Sequence, residues 1–205
     1  MASEDIQKNI KEEAPVTWQK SVMLYLHDLV YLLAVVMIVF MLLFRIVIVS
    51  GSSMYSTLLD GDWLLVTGSV LYQEPKHGDI IVASKDSFND GEPIIKRVIA
   101  TEGQTVDIDF EAGIVFVDGV PLEEDYTYTP TNAQEGIVFP ITIADGCIFV
   151  MGDNRNGSKD SRHPSIGMID TREVLGRAVF LLFPGRDSVT KAPEYSRIGI
   201  IRRLE

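Results

Sequence analysis

PIIKRVIA, residues 93–100, is a run of apolar residues interrupted only by Lys96 and Arg97. This composition favours a β-strand. Successive side chains of a strand point to opposite faces, so Lys96 shares a face with Ile94 and Val98. We therefore expect apolar neighbours around the Lys96 amine. The alternative is an ordinary lysine whose stem packs while its ammonium reaches water, and the strand by itself favours that interpretation.

Similar short apolar runs, separated by turn formers, follow on both sides of this segment. They predict a mainly β domain with strands at residues 63–67, 79–83, 93–100, 105–108, 114–117, 146–151 and 175–183. Turn-forming pairs such as Gly61-Asp62 and Asp118-Gly119 separate these runs. Residues 123–136 are acidic at their start and rich in Tyr and Thr, which predicts a surface excursion.

An apolar block precedes the β-rich part, and no charged residue occurs from Leu29 to Phe44. With its flanks this block is long enough to cross a hydrocarbon core of about 30 Å. We expect a polar tail at residues 1–20, one transmembrane anchor at residues 21–49 and a catalytic domain at residues 50–205. A buried core helix is rarely so apolar on every face, and a cleavable signal peptide usually has a shorter apolar region.

The charged residues around the block bear on its orientation and on possible partners. Lys8, Lys11 and Lys20 precede it and Arg45, which can snorkel towards the headgroups, follows it. The Lys/Arg count favours a cytoplasmic N-terminus and an extracytoplasmic domain. The formal net charge is -11, and no long basic stretch is present. This charge balance argues against nucleic-acid binding.

Cys147 is the single cysteine of the sequence. A disulfide within the chain, a cysteine zinc cluster and a CxxC redox pair are therefore excluded. We interpret Cys147 as a small buried hydrophobic residue on a strand. The sequence gives no reason to expect a metal or another cofactor.

Two further segments carry candidate chemistry. Residues 49–58 read VSGSSMYSTL, and by itself this serine-rich stretch is typical of a turn at a membrane surface. Residues 151–162 read MGDNRNGSKDSR, which by itself predicts a long turn whose acids and arginines pair. The histidines, His27, His77 and His163, lie far apart in the sequence, and none makes a convincing catalytic base.

The order and content of these three segments together resemble the bacterial type I signal peptidases. That family combines a Ser-Met pair just past a membrane anchor, a Lys-Arg pair in a strand and a Gly-Asp-Asn-Arg loop that continues to Asp-Ser-Arg. The resemblance covers nearly everything from the anchor to about Pro184. The loop is highly specific, whereas a lone Ser-Met or Lys-Arg pair carries almost no information.

The resemblance implies a domain of coiled antiparallel sheets and a membrane-anchored serine endopeptidase. Its substrates would be exported preproteins, cleaved after Ala-X-Ala type sites. Ser53 would be the nucleophile and Lys96 the general base, which must be neutral and therefore needs a lowered pKa. Ser158 would orient the Lys96 amine. Supporting roles in the loop are expected for Asp153, Arg155, Asp160 and Arg162.

Shallow apolar subsites would explain a preference for small residues. The candidate lining residues, chosen for their closeness in sequence to the proposed dyad, are Val49, Met54, Leu58, Ile94 and Ile95. The chain departs from the family at Gly51, where some members have a serine whose hydroxyl stabilises the oxyanion. Ser50, Ser52 or a backbone amide are then candidates for the second donor, beside the Ser53 N–H. Ser56 replaces the usual proline.

Two other functions fit parts of the sequence. A self-cleaving Ser-Lys repressor has a related β-rich fold, but it lacks a long apolar anchor beside the serine and usually carries a DNA-binding region. A membrane-anchored binding domain descended from the signal peptidases is the non-enzymatic alternative.

Overall fold

The computed structural model describes residues 18–85, 88, 91–187 and 192–203. Most of the expected polar tail, residues 1–17, lies outside the described residues. The chain forms two compact units that divide between Met41 and Leu42.

Helix α1, Trp18–Leu43, forms the described part of the first unit and ends two residues beyond it, and none of its residues is buried. The helix is long and apolar enough to cross a membrane. The sequence predicted an anchor extending to residue 49, but the helix ends at Leu43 and residues Phe44–Ile48 form a strand. Arg45, placed at the end of the predicted anchor, therefore lies in that strand. Its β-branched neighbours pair with a second strand, and these ladder bonds replace further helical turns.

The second unit is mainly β, as predicted. Its strands are β1 Phe44–Ile48, β2 Trp63–Gly68, β3 Ile80–Ala83, β4 Ile94–Thr101, β5 Thr105–Asp109, β6 Ile114–Val117, β7 Val120–Pro121, β8 Ile141–Thr142, β9 Cys147–Met151, β10 Ile169–Asp170, β11 Val174–Phe183 and β12 Gly199–Ile200. Short 3₁₀ helices occupy Arg155–Gly157, Thr171–Glu173 and Tyr195–Arg197. All seven predicted strands are present with small changes of boundary.

Two antiparallel sheets build this unit. The larger has the order β1-β2-β11-β3-β4-β9-β10, with β12 paired to β11, and the smaller has the order β7-β6-β5-β8. The register shifts within β4 and β11, between Val98 and Ala100 and between Ala178 and Phe180. Such bulges bend a strand and increase its twist, which accounts for a curled sheet.

Strand β4 is covered on both of its faces. Residues from Lys96 to Ala100 are all buried, because apolar clusters pack on both sides of the strand. A strand covered on both faces loses the alternation of a half-exposed one. The two basic residues of this strand are therefore both enclosed by the fold.

The sheet order places the three sequence segments together. Strand β1 leads into residues 49–58, and Arg97 of β4 pairs with Met151 at the end of β9. Residues 151–162 therefore begin beside the basic pair of β4.

Candidate active site

Ser53 and Lys96 lie at hydrogen-bond distance from each other. Lys96 Nζ is 2.9 Å from Ser53 Oγ and donates to the Ile95 carbonyl oxygen at 3.0 Å. The lysine is only 5% exposed although it carries a long basic side chain. Strand β4 thus holds an amine against the hydroxyl group of the turn that follows β1.

The protonation of Lys96 follows from its surroundings. Burial lowers the pKa of its amine to about 8, although the negative charges of Asp160, Glu135 and Asp153 act in the opposite direction. At pH 7 an amine with this pKa is neutral in about one molecule in ten, compared with fewer than about one in a thousand for an ordinary lysine. A useful fraction of the protein therefore carries a base beside Ser53.

Backbone hydrogen bonds fix the turn that presents Ser53. The Asn154 N–H donates to the Ser53 carbonyl at 3.0 Å, and the Asn154 side chain donates to Ser52 O at 3.1 Å. Gly51 has a φ of 87°, which a glycine adopts readily. Its N–H donates to Asp60 Oδ1 at 2.8 Å. The Gly51 amide is therefore already engaged, which weakens it as a second donor to an oxyanion.

Ser158 does not make the hydrogen bond that the resemblance implies. It is buried, and its Oγ has no hydrogen-bond partner among the described residues. The Lys96 amine is directed instead to Ser53 Oγ and the Ile95 carbonyl. A Cβ atom on Gly152 would lie 2.2 Å from Ser158 Oγ and 2.4 Å from Ser53 O. Gly152 thus allows Ser158 and the turn that carries Ser53 to pack closely.

A buried ion pair connects β4 to the start of the loop. Arg97 Nε donates to Asp153 Oδ1 at 2.8 Å and Arg97 Nη2 to Asp153 Oδ2 at 2.6 Å, with both side chains almost fully enclosed. Arg97 Nη1 also donates to Gly78 O at 3.0 Å. This two-point contact fixes the direction of the residue that follows Lys96.

The rest of the loop is held in the same way. Arg162 donates to both carboxylate oxygens of Asp160, at 2.8 and 2.9 Å, and Asp160 Oδ2 accepts the Gly152 N–H at 2.9 Å. Arg155 pairs with Glu124, which belongs to the excursion at residues 123–136. These charged side chains therefore shape the loop, and within the described part of the chain they make no hydrogen bond to the Ser53 or Lys96 side chain.

A second tether was not anticipated from the sequence. Arg197 donates to Asp62 Oδ1 and Oδ2 at 3.0 and 2.7 Å and to Thr57 O at 3.1 Å. It thereby ties residues 49–58, which include Ser53, to the C-terminal segment. The signal in the sequence was weak, because the partners are separated by 135 residues.

A cavity of about 320 Å³ opens beside Ser53 and Lys96. Four of the five predicted lining residues border it, namely Val49, Met54, Ile94 and Ile95. Leu58 is not among its lining residues: its N–H donates to Met54 O, and its side chain is buried in the core. The turn between these two residues directs Leu58 inwards.

An apolar N-terminal helix, a curled β domain and a serine beside a buried lysine are features that fit a serine peptidase. A family model described as signal peptidase, peptidase S26, matches residues 22–183. The chain therefore belongs to the signal peptidase family. Family membership makes it a serine endopeptidase that removes signal peptides, and helix α1 fits a membrane anchor.

Individual relatives agree with the family model. A probable signal peptidase I-1 of Synechocystis sp. is 38% identical over 143 residues, which cover 66% of this chain and 69% of that protein. A signal peptidase I of Bacillus amyloliquefaciens is 30% identical over 191 residues, covering 88% of this chain and 93% of the relative. A crystal structure of a signal peptidase I from Enterococcus faecalis V583 has a TM-score of 0.42 and 30% identity, and covers 51% of this chain and 96% of that chain.

Proposed function

We propose that this protein cleaves exported preproteins after Ala-X-Ala type sites with a Ser53/Lys96 dyad. The observation that carries the proposal is the 2.9 Å separation of Lys96 Nζ and Ser53 Oγ at the border of a cavity. A serine hydroxyl is a weak nucleophile unless an adjacent base accepts its proton. The lowered pKa of Lys96 supplies that base near neutral pH.

The dyad would work in two stages. As Ser53 Oγ attacks the scissile carbonyl, the neutral Lys96 amine takes the hydroxyl proton, and the resulting ammonium then gives a proton to the leaving peptide amine. Water, deprotonated by the same amine, hydrolyses the ester on Ser53 and regenerates both groups. The Ser53 N–H would stabilise the oxyanion of each tetrahedral intermediate.

The cavity beside the dyad supports a preference for small side chains. Val49 and Met54 are buried, and with Ile94 and Ile95 they give the cavity apolar walls. A methyl group fits such a surface, whereas a large side chain would collide with it. Strand β1 stands at the end of the sheet order, so an extended substrate could add to its outer edge.

Contact with the lipid bilayer is supported by an exposed apolar sheet face. Trp63 pairs with Ile48 on one side and with Phe183 on the other, and all three side chains are exposed. Ile46, two residues before Ile48, extends the same face and is also exposed. Contiguous exposed apolar surface is typical of membrane or protein contacts. We propose that this face meets the outer surface of the membrane in which α1 is anchored.

The proposed topology places the N-terminus in the cytoplasm and the β domain outside. Cys147, which is partly exposed and is the single cysteine of the sequence, provides a reporter. A membrane-impermeant maleimide added to intact cells should label the protein, and the Cys147→Ala variant should remain unlabelled. Labelling only after the membrane is opened would reverse the orientation.

Cleavage of a preprotein by the purified full-length protein tests the function. The wild type should cut after the last alanine of an Ala-X-Ala site, whereas Ser53→Ala and Lys96→Ala should lose activity by several orders of magnitude. Ser69→Ala and Lys76→Ala, which change the same residue types on the exposed surface, should retain it. A wild type that binds the preprotein without cutting it, or dyad variants that still cut, would refute the proposal.

A further inference from the structure

The cavity beside Ser53 and Lys96 has a carboxylate at its edge, Glu92, which has no part in the proposed selection of small side chains. Glu92 lines the cavity together with Ser53 and Lys96, and it is the one carboxylate among the described residues that line it. The residue is exposed to solvent. Within the described part of the chain, its carboxylate has no hydrogen bond or ion pair. Its charge therefore faces whatever occupies this end of the cavity.

The position of Glu92 relative to the dyad follows from strand geometry. Pro93 favours an extended backbone for the residue before it, so Glu92 continues the direction of β4. Glu92, Ile94 and Lys96 follow at intervals of two residues, and such residues share a face of an extended chain about 6.5–7 Å apart. An extended substrate lying alongside has the same repeat.

The repeat assigns substrate residues to these three positions. If the residue before the scissile bond lies beside Lys96, the third residue before the bond lies beside Ile94. The fifth residue before the bond then reaches Glu92. We propose that Glu92 reads the charge of this fifth residue, favouring preproteins with Lys or Arg there and disfavouring those with Asp or Glu. The inference rests on the proposed function, because it uses the same cavity and dyad.

The expected preference is modest. Exposed charges interact weakly in water and are screened by salt. Glu92 attracts a substrate with Lys at the fifth position and repels one with Glu there. The ratio of the two kcat/KM values therefore contains both effects. We expect a ratio of about five- to tenfold at low ionic strength, falling to about twofold in half-molar salt.

Three synthetic peptides that differ only at the fifth residue before the scissile bond test this inference. With Lys, Gln or Glu at that position, kcat/KM is measured for the full-length protein in nonionic detergent, and the cleaved bond is identified by mass spectrometry. The Lys-to-Glu ratio should fall to about one in Glu92→Gln and should invert in Glu92→Lys. Glu111→Gln, which removes an exposed carboxylate elsewhere, should keep the wild-type ratio.

The possible results separate the two proposals. Cleavage at the expected bond with a wild-type ratio near one would overturn the role of Glu92 and leave the dyad standing. A ratio that survives in both Glu92 variants would also overturn it, because another group would then read the charge. The role of Glu92 would also be overturned if Glu92→Gln were inactive on all three peptides and Glu92→Lys showed no inversion of the Lys-to-Glu ratio. Failure of the wild type to cut any of the peptides would instead overturn the proposed function.

Discussion

The pH dependence of cleavage is predicted by the burial of Lys96. In the proposed mechanism only the neutral amine of Lys96 can accept the Ser53 proton, so kcat/KM should follow the deprotonated fraction of Lys96 in the free enzyme. Burial lowers the pKa of this amine to about 8. For a lysine of ordinary pKa, about 10.4, activity would rise at a pH near that value. With the lowered pKa of Lys96, activity instead rises with pH through about 8 and then levels off.

The size of the increase in rate between pH 7 and pH 9 distinguishes this mechanism from one with an ordinary lysine. With a pKa of about 8, the neutral fraction is about 9% at pH 7 and about 91% at pH 9, which is a tenfold rise followed by a plateau. An unperturbed amine would give a rise of nearly a hundredfold over the same interval, and the rate would still be increasing at pH 9. The assay is the initial rate of cleavage of a peptide without titratable groups, at substrate concentrations well below KM.

A charge-removing variant sharpens the same prediction. Burial sets the low pKa of Lys96, and the charges of Asp160 and Glu135 oppose that effect. Glu135→Gln should therefore move the kinetic pKa further down, whereas Glu111→Gln, on the exposed surface, should leave it in place. A wild-type profile that climbs without a plateau past pH 10, or a Glu135→Gln profile displaced upwards, would refute the assignment of the acid limb to Lys96.

Two further predictions concern the loop that supports the dyad. Arg97→Met leaves Asp153 buried without its partner and should lower the free energy of unfolding by about 3–5 kcal/mol. The measurement is denaturant unfolding of the full-length protein in detergent. Arg172→Met, which breaks an exposed ion pair, should have a much smaller effect. Equal losses would mean that the buried pair has no special role. Gly152→Ala places a Cβ 2.4 Å from Ser53 O, so kcat should fall by about a hundredfold or more, as expected for a displacement of about 1 Å at a reacting group. Wild-type kcat in this variant would show that the close packing is unnecessary.

The sequence was most informative where a local pattern determines the structure. Apolar runs between turn formers predicted strands such as Ile114–Val117 with correct boundaries. The end of the anchor was missed because Phe44–Ile48 is, apart from Arg45, apolar and rich in β-branched residues, and such a run fits a membrane helix as well as a strand. Pairing with β2, a tertiary interaction, decides between the two. The burial of β4 on both faces was not predicted for a similar reason, since packing on a second face is not encoded in the strand itself.

The candidate site likewise combines features that local motifs predict with features that only the fold determines. Ser53 and Lys96 could be selected from local motifs, and their distance is a property of the fold that no motif contains. The separation of 56 residues between Arg97 and Asp153 made their pairing invisible to any local pattern. Leu58 was misplaced because closeness in sequence to the nucleophile does not fix the direction of a side chain within a turn.

Trapping of the acyl intermediate tests the central claim most directly. The protein is mixed with a peptide ester ending in Ala-X-Ala, quenched in acid during steady-state turnover, digested, and the modified residue is located by mass spectrometry. The proposed mechanism predicts the acyl group on Ser53 Oγ, with no adduct in Ser53→Ala and a greatly reduced rate of adduct formation in Lys96→Ala. An acyl group on Ser50 or Ser52, or an adduct that forms at the wild-type rate without the Lys96 amine, would contradict the claim that this lysine activates this serine.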